Sequence, residues 1–129
     1  MLRKALGPLL LLPLAAACGA PAAIAAPTCQ EPSPALVSRI VALSPSGTKA
    51  VAAGGLKATD HASTYWVAVR FTVKGATHTG VWAVGGGLTG KGTLLAVDDE
   101  AQQWSMAADA DTSASELQPT EGKAVLACL

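Results

Sequence analysis

The residues able to carry chemistry are few and scattered. Three cysteines stand at Cys18, Cys29 and Cys128, two histidines at His61 and His78, and the longest acidic run is Asp98-Asp99-Glu100. A thiol becomes a nucleophile when a neighbouring cation lowers its pKa, and no histidine adjoins any of the three cysteines in sequence. There is no C-x-x-C pair of the kind that zinc and redox sites use. Asp98-Asp99-Glu100 offers carboxylates to a metal ion, but at a strand-to-helix junction the same residues serve as an N-cap with acid at the positive end of the helix. Asp109-x-Asp111-x-Ser113 has the opening spacing of a calcium loop. It lacks the glycine at the sixth position and carries Thr120 where the closing glutamate is required. Two histidines alone do not make a zinc site, and both are read as surface residues. A hydrolase would need His61 or His78 in a cleft beside a carboxylate. No G-x-S-x-G is present to form a nucleophile elbow, and Gly85-Gly86-Gly87 lacks the Lys-Ser/Thr of a phosphate loop. The residues therefore support no catalytic site, no metal site and no cofactor.

The bulk properties narrow the classes further. The chain has 129 residues, a formal net charge of +0 and 14% charged residues. Without a cluster of Lys and Arg to neutralise phosphates, a nucleic-acid partner is not expected. The 50% apolar fraction argues against a wholly disordered chain. Alanine is abundant, at 27 residues, and asparagine is absent, which excludes an N-glycosylation sequon.

The beginning of the chain reads as an export signal over residues 1–17. Arg3 and Lys4 supply a positive start, and Ala5 to Ala17 form an apolar stretch of 13 residues. That is shorter than the ~20 apolar residues a membrane-spanning helix needs. Extending the window to Ala26 adds Gly19, Pro21 and Cys18, a poor composition for a permanent anchor. Two processing sites compete. Leu14-Ala15-Ala16-Ala17-Cys18-Gly19 resembles the lipobox of bacterial lipoproteins, in which small residues precede a cysteine that is lipidated and becomes the new N-terminus. It departs in having Ala15 where leucine is preferred. This reading gives a lipid on Cys18 and a tether over residues 18–32. The alternative is Ala23-Ile24-Ala25, a small-x-small pattern for cleavage before Ala26.

On either route Cys29 and Cys128 remain as an even pair, and in an exported chain that predicts a disulfide. It would close a loop of about 100 residues, for which chain entropy gives roughly 4–5 kcal/mol.

The folded domain is assigned to residues 33–129. Ser33 followed by Pro34 is a helix start, and Leu36, Val37, Ile40, Val41 and Leu43 recur at helical spacing. A strand is expected around Leu56–Asp60, with a bulge or bend at Gly54 and Gly55. Residues 64–74 alternate cleanly, with Tyr65, Val67, Val69, Phe71 and Val73 on one face and Trp66, Ala68, Arg70, Thr72 and Lys74 on the other. Lys74-Gly75-Ala76-Thr77 reads as a hairpin connection, a strand from Thr77 to about Val84 follows, and Thr93 to Val97 forms another. Asp98 or Asp99 caps a short helix. Residues 106–119 read as a long surface loop, and Glu121 to Leu126 as a terminal helix or strand. The expectation is an α+β fold: a three- to four-stranded antiparallel sheet with an N-terminal helix and short C-terminal helices on one face.

Aromatic residues are scarce, at 4%, so Trp66, Trp82 and Trp104 carry weight. Exposed tryptophans mark binding surfaces, and Trp66, Arg70, Lys74 and Trp82 form the candidate surface. In the alternative, the 106–119 segment covers that face and the tryptophans belong to the core.

The succession Tyr65-Trp66-Val67-Ala68-Val69, Gly80-Val81-Trp82-Ala83, Ala96-Val97-Asp98-Asp99-Glu100-Ala101, Trp104-Ser105 and Ala127-Cys128 resembles small exported proteins of actinobacteria, over roughly residues 50–129. The resemblance implies export and a small α+β domain, and brings no catalytic residue. The resulting expectation is a surface protein tethered to the membrane through Cys18. It would act without catalysis, as a binding or accessory module for an envelope protein or ligand. The alternative is a freely secreted effector such as a protease inhibitor.

Overall fold

The computed structural model describes residues 28–59, 63–110 and 119–129. Helix α1 runs over Pro34–Ala42. The Ser33 hydroxyl accepts the amide of Leu36 at 3.1 Å and Pro34 opens the first turn, as the capping pattern predicts. Leu36 and Ile40, four residues apart, are the buried stripe of this helix. Arg39 donates from Nη1 to the carbonyls of Gly90 and Gly92. It thereby ties α1 to the connection between β3 and β4.

Five strands follow: β1 (Lys49–Lys57), β2 (Thr64–Val73), β3 (Ala76–Gly85), β4 (Leu94–Ala96) and β5 (Ala108–Asp109). They lie in sequential order in one sheet, antiparallel except where β5 runs parallel to β4. The β2–β3 hairpin turns on two residues, Lys74 at φ 51° and Gly75 at φ 81°. Positive φ at both positions is the type I′ turn whose twist matches the flanking strands. That turn fixes the register from Val73 opposite Ala76 to Thr64 opposite Gly85. Helix α2 (Asp99–Trp104) lies between β4 and β5, and α3 (Pro119–Ala124) passes directly into a 3-10 helix over Val125–Cys128.

Both faces of the sheet are covered. On the first, Leu36 and Ile40 of α1 and Ala101 of α2 pack on Val67, Val69, Phe71, Trp82 and Val84. On the second, Val125 packs on Trp66, Ala68, Val81 and Ala83, with Cys128 and Leu129 beside them. The Cys29–Cys128 disulfide closes the domain with a Cα–Cα distance of 5.5 Å and a sequence separation of 99.

The fold class is the expected α+β, and the sheet has five strands where three to four were expected. The C-terminal helical elements divide between the faces, α2 on the first and the 3-10 helix on the second. Strand β1 starts at Lys49, well before Leu56, and its bulge lies between Ala50 and Ala52. Gly54 and Gly55 sit in regular pairing instead. Glycine is needed at position 54 because a Cβ there would lie 2.5 Å from the Cys128 carbonyl oxygen. From the expected 106–119 loop the chain recruits β5, and residues 111–118, including the calcium-like spacing, lie outside the described residues. The expected leader, Cys18 and His61 lie outside them as well.

Candidate binding surface

The expected surface of Trp66, Arg70, Lys74 and Trp82 is not assembled. Residues paired across β2 and β3 share a face, and Trp66 pairs with Ala83 while Trp82 pairs with Val67. The two indoles therefore point to opposite faces, and both are 0% exposed. Trp66 lies beneath α3, where a Cβ on Gly122 would stand 3.0 Å from its Cε3. Its Nε1 is buried and has no hydrogen-bond partner among the described residues. Trp82 lies under α2. Its Nε1 donates to Ser105 Oγ at 3.4 Å, and its ring occupies the space a side chain at Gly80 would take. Among the described residues, the cover over Trp66 comes from α3 and the 3-10 helix; most of the 106–119 segment lies outside them. A two-residue reading of Lys74-Gly75 is the sequence signal that separates the two tryptophans, because it sets which residues oppose one another.

Arg70 and Lys74 remain at the surface, half-buried and exposed respectively. The register adds a residue that sequence reading missed. Lys49 pairs with Thr72, so it shares the second face with Thr72 and Arg70. Thr77 lies opposite Thr72 and Thr79 opposite Arg70. The end of the second face beyond the 3-10 helix is thus a basic patch floored with threonines. Val51, the unpaired residue of the bulge, is 60% exposed. Among the described residues no carboxylate pairs with Lys49, Arg70 or Lys74; their one ion pair joins His78 to Glu100.

That pair is the second constellation the fold creates. His78 Nδ1 lies 3.2 Å from Glu100 Oε2, and the imidazole stands between the rings of Trp104 at 4.7 Å and Phe71 at 5.6 Å. An imidazole beside a carboxylate is half of a general-base arrangement, the other half being a nucleophile within hydrogen-bond reach. The hydroxyl nearby in sequence, Ser105, is engaged with Trp82 and with the Ala107 amide at 3.1 Å. Clefts of about 190, 140 and 180 Å³ are lined by neither His78 nor Glu100, although Trp104 and Ser105 border the third. The ring contacts and the half-buried Glu100 make His78 a packing residue at the α2 contact with β3.

Asp98 has a structural occupation too. Its Oδ1 accepts the amides of Ala101 at 2.9 Å and Val81 at 3.0 Å, so it caps α2 and holds β3. Burial raises its pKa above the ordinary 3.8; the two amides pull the other way, and the Glu100 charge adds to the rise.

No protein-family model, no curated protein and no solved structure matches the chain.

Proposed function

We infer that this chain is an exported protein held on the outer face of the cell membrane by a lipid on Cys18, and that it works there as a non-enzymatic binding or accessory module. The observation that carries the reading is the Cys29–Cys128 disulfide, which joins the start of the described domain to its last helical turn. Structural disulfides persist in oxidising compartments and are rare where thiols are kept reduced. The apolar stretch from Ala5 to Ala17 and the lipobox-like Leu14–Cys18 supply the route and the anchor. The exposed basic end of the second sheet face is the contact surface.

The test is the non-reduced intact mass of the mature protein from an exporting, lipoprotein-competent host. The expected result is a diacyl or triacyl chain beginning at Cys18 and two hydrogens short. A bare chain starting at Ala26 would overturn the tether and favour a diffusible effector.

A further inference from the structure

We propose that the basic end of the second sheet face docks on the anionic lipid headgroups of a bilayer, so that the domain lies on the membrane in one orientation. The inference rests on the tethered reading above for its setting, and on the following observations for its content.

Lys49 at the start of β1, Arg70 near the end of β2 and Lys74 in the turn that follows β2 lie at one end of the sheet. None of them pairs with a described carboxylate, as set out above. Among the described acids, Asp98, Asp99 and Glu100 stand at the start of α2, Asp109 on β5 and Glu121 in α3, and Glu31 follows the Gln30–Gly55 bridge, at the other end of β1 from Lys49. Helix α2 packs on the first face, where Glu100 meets His78, whereas Lys49 and Arg70 stand on the second. A negative surface approaching the second face therefore meets the cations first and leaves the α2 acids on the far side of the sheet. Val51 adds the second element of a lipid contact. Val51, two residues along β1 from Lys49 and 60% exposed, is an apolar side chain that can enter the interfacial layer as the cations reach the phosphates. The Thr72, Thr77 and Thr79 hydroxyls supply hydrogen bonds to the same groups.

The chain length permits it. Residues 18–28 span at most about 38 Å fully extended. The domain end at Cys29 sits by Gly55, six residues along β1 from Lys49, about 20 Å at strand rise. A lipid on Cys18 thus leaves the basic end within reach of the bilayer.

The experiment uses the full chain carrying Cys18→Ser, which removes the lipid. Its partitioning is compared between vesicles of 7:3 phosphatidylcholine–phosphatidylglycerol and vesicles of pure phosphatidylcholine. The leader, with Arg3 and Lys4, contributes equally to every variant, so the change in the ratio between variants isolates the contribution of the basic end. Each Lys or Arg at an anionic surface is worth about fivefold, so three give a ratio on the order of 100. Lys49→Glu with Lys74→Glu, both exposed and leaving Arg70 in place, is expected to lower the ratio about 25-fold or more. Lys57→Glu with Lys91→Glu is expected to leave at least a tenfold preference. At 0.5 M salt the preference is expected to vanish. Equal loss in both pairs would show attraction by net charge alone and overturn the proposal. So would binding to soluble polyphosphate without binding to the anionic vesicles. Because the lipid is absent here, a failed tether and a failed docking face give separate results.

Discussion

Asp98 Oδ1 stands 3.0 Å from the amide nitrogen of Val81 and 2.9 Å from that of Ala101, so one carboxylate oxygen splices strand β3 to helix α2. The Val97 amide donates to the Val81 carbonyl at 2.9 Å, and the side chain therefore extends the β3–β4 ladder by one bond past the strand's end. Val81 is 1% exposed, so water does not replace that acceptor.

Asp98→Ala should accordingly cost more than a lost surface cap. Losing the cap is worth about 1 kcal/mol, and stranding the Val81 amide adds about 1–3 kcal/mol. Asp98→Asn keeps an acceptor oxygen and should recover most of the loss. Urea unfolding of the three proteins measures both steps. Equal loss in the alanine and asparagine variants would show that the acceptor is not what matters.

The same residue sets a pH dependence. Its folded pKa lies above the ordinary 3.8, raised mainly by burial, so between those two values the folded state binds more protons than the unfolded state. Stability from this group is therefore greatest in acid and declines as pH rises from about 3.8 through the folded value. Asp98→Asn lacks this decline. Thermal melts from pH 3 to 7 should show the asparagine variant gaining on the parent as pH increases, and a constant gap would contradict the assignment.

The disulfide predicts a reduction effect. Opening a crosslink with a sequence separation of 99 should lower stability by about 3–5 kcal/mol. Cys29→Ser with Cys128→Ser should match the reduced parent in urea unfolding. If reduction leaves the midpoint unchanged, the crosslink contributes nothing to the folded state.

Gly54 gives a test of how that crosslink is seated. A Cβ at this position would lie 2.5 Å from the Cys128 oxygen and 2.6 Å from its Cβ. Gly54→Ala is expected to destabilise by about 2–3 kcal/mol through overpacking. In the background lacking both cysteines, where the last turn can shift, the same substitution should cost at least 1 kcal/mol less. Additive effects in the double-mutant cycle would place the strain elsewhere.

Much of the fold was legible because local signals and burial agree. The alternation in β2, the Ser33 and Asp98 caps and the even cysteine pair each follow from one physical rule acting over a few residues. Strand β1 was read only in part because Lys-Ala-Val-Ala-Ala-Gly-Gly-Leu-Lys has a single β-branched residue. Pairing with β2 holds it, not propensity. β5 is two residues long and exists through its pairing with β4, which no local pattern encodes. The candidate surface was legible only at Arg70 and Lys74. Exposure of the tryptophans depended on hairpin register and on what the distant C-terminal turn covers. Lys49 joined the surface through a long-range pairing across the sheet.

The position of the disulfide also decides how the domain answers to a pull. Tension arriving from the N-terminal side enters at Cys29 and crosses at once to Cys128, seated against Gly54. The β2–β3 hairpin lies off that covalent path. A pull between the residues before Cys29 and Leu129 would therefore load the disulfide and the closing turn first, while the sheet that presents Arg70 and Lys74 keeps its shape.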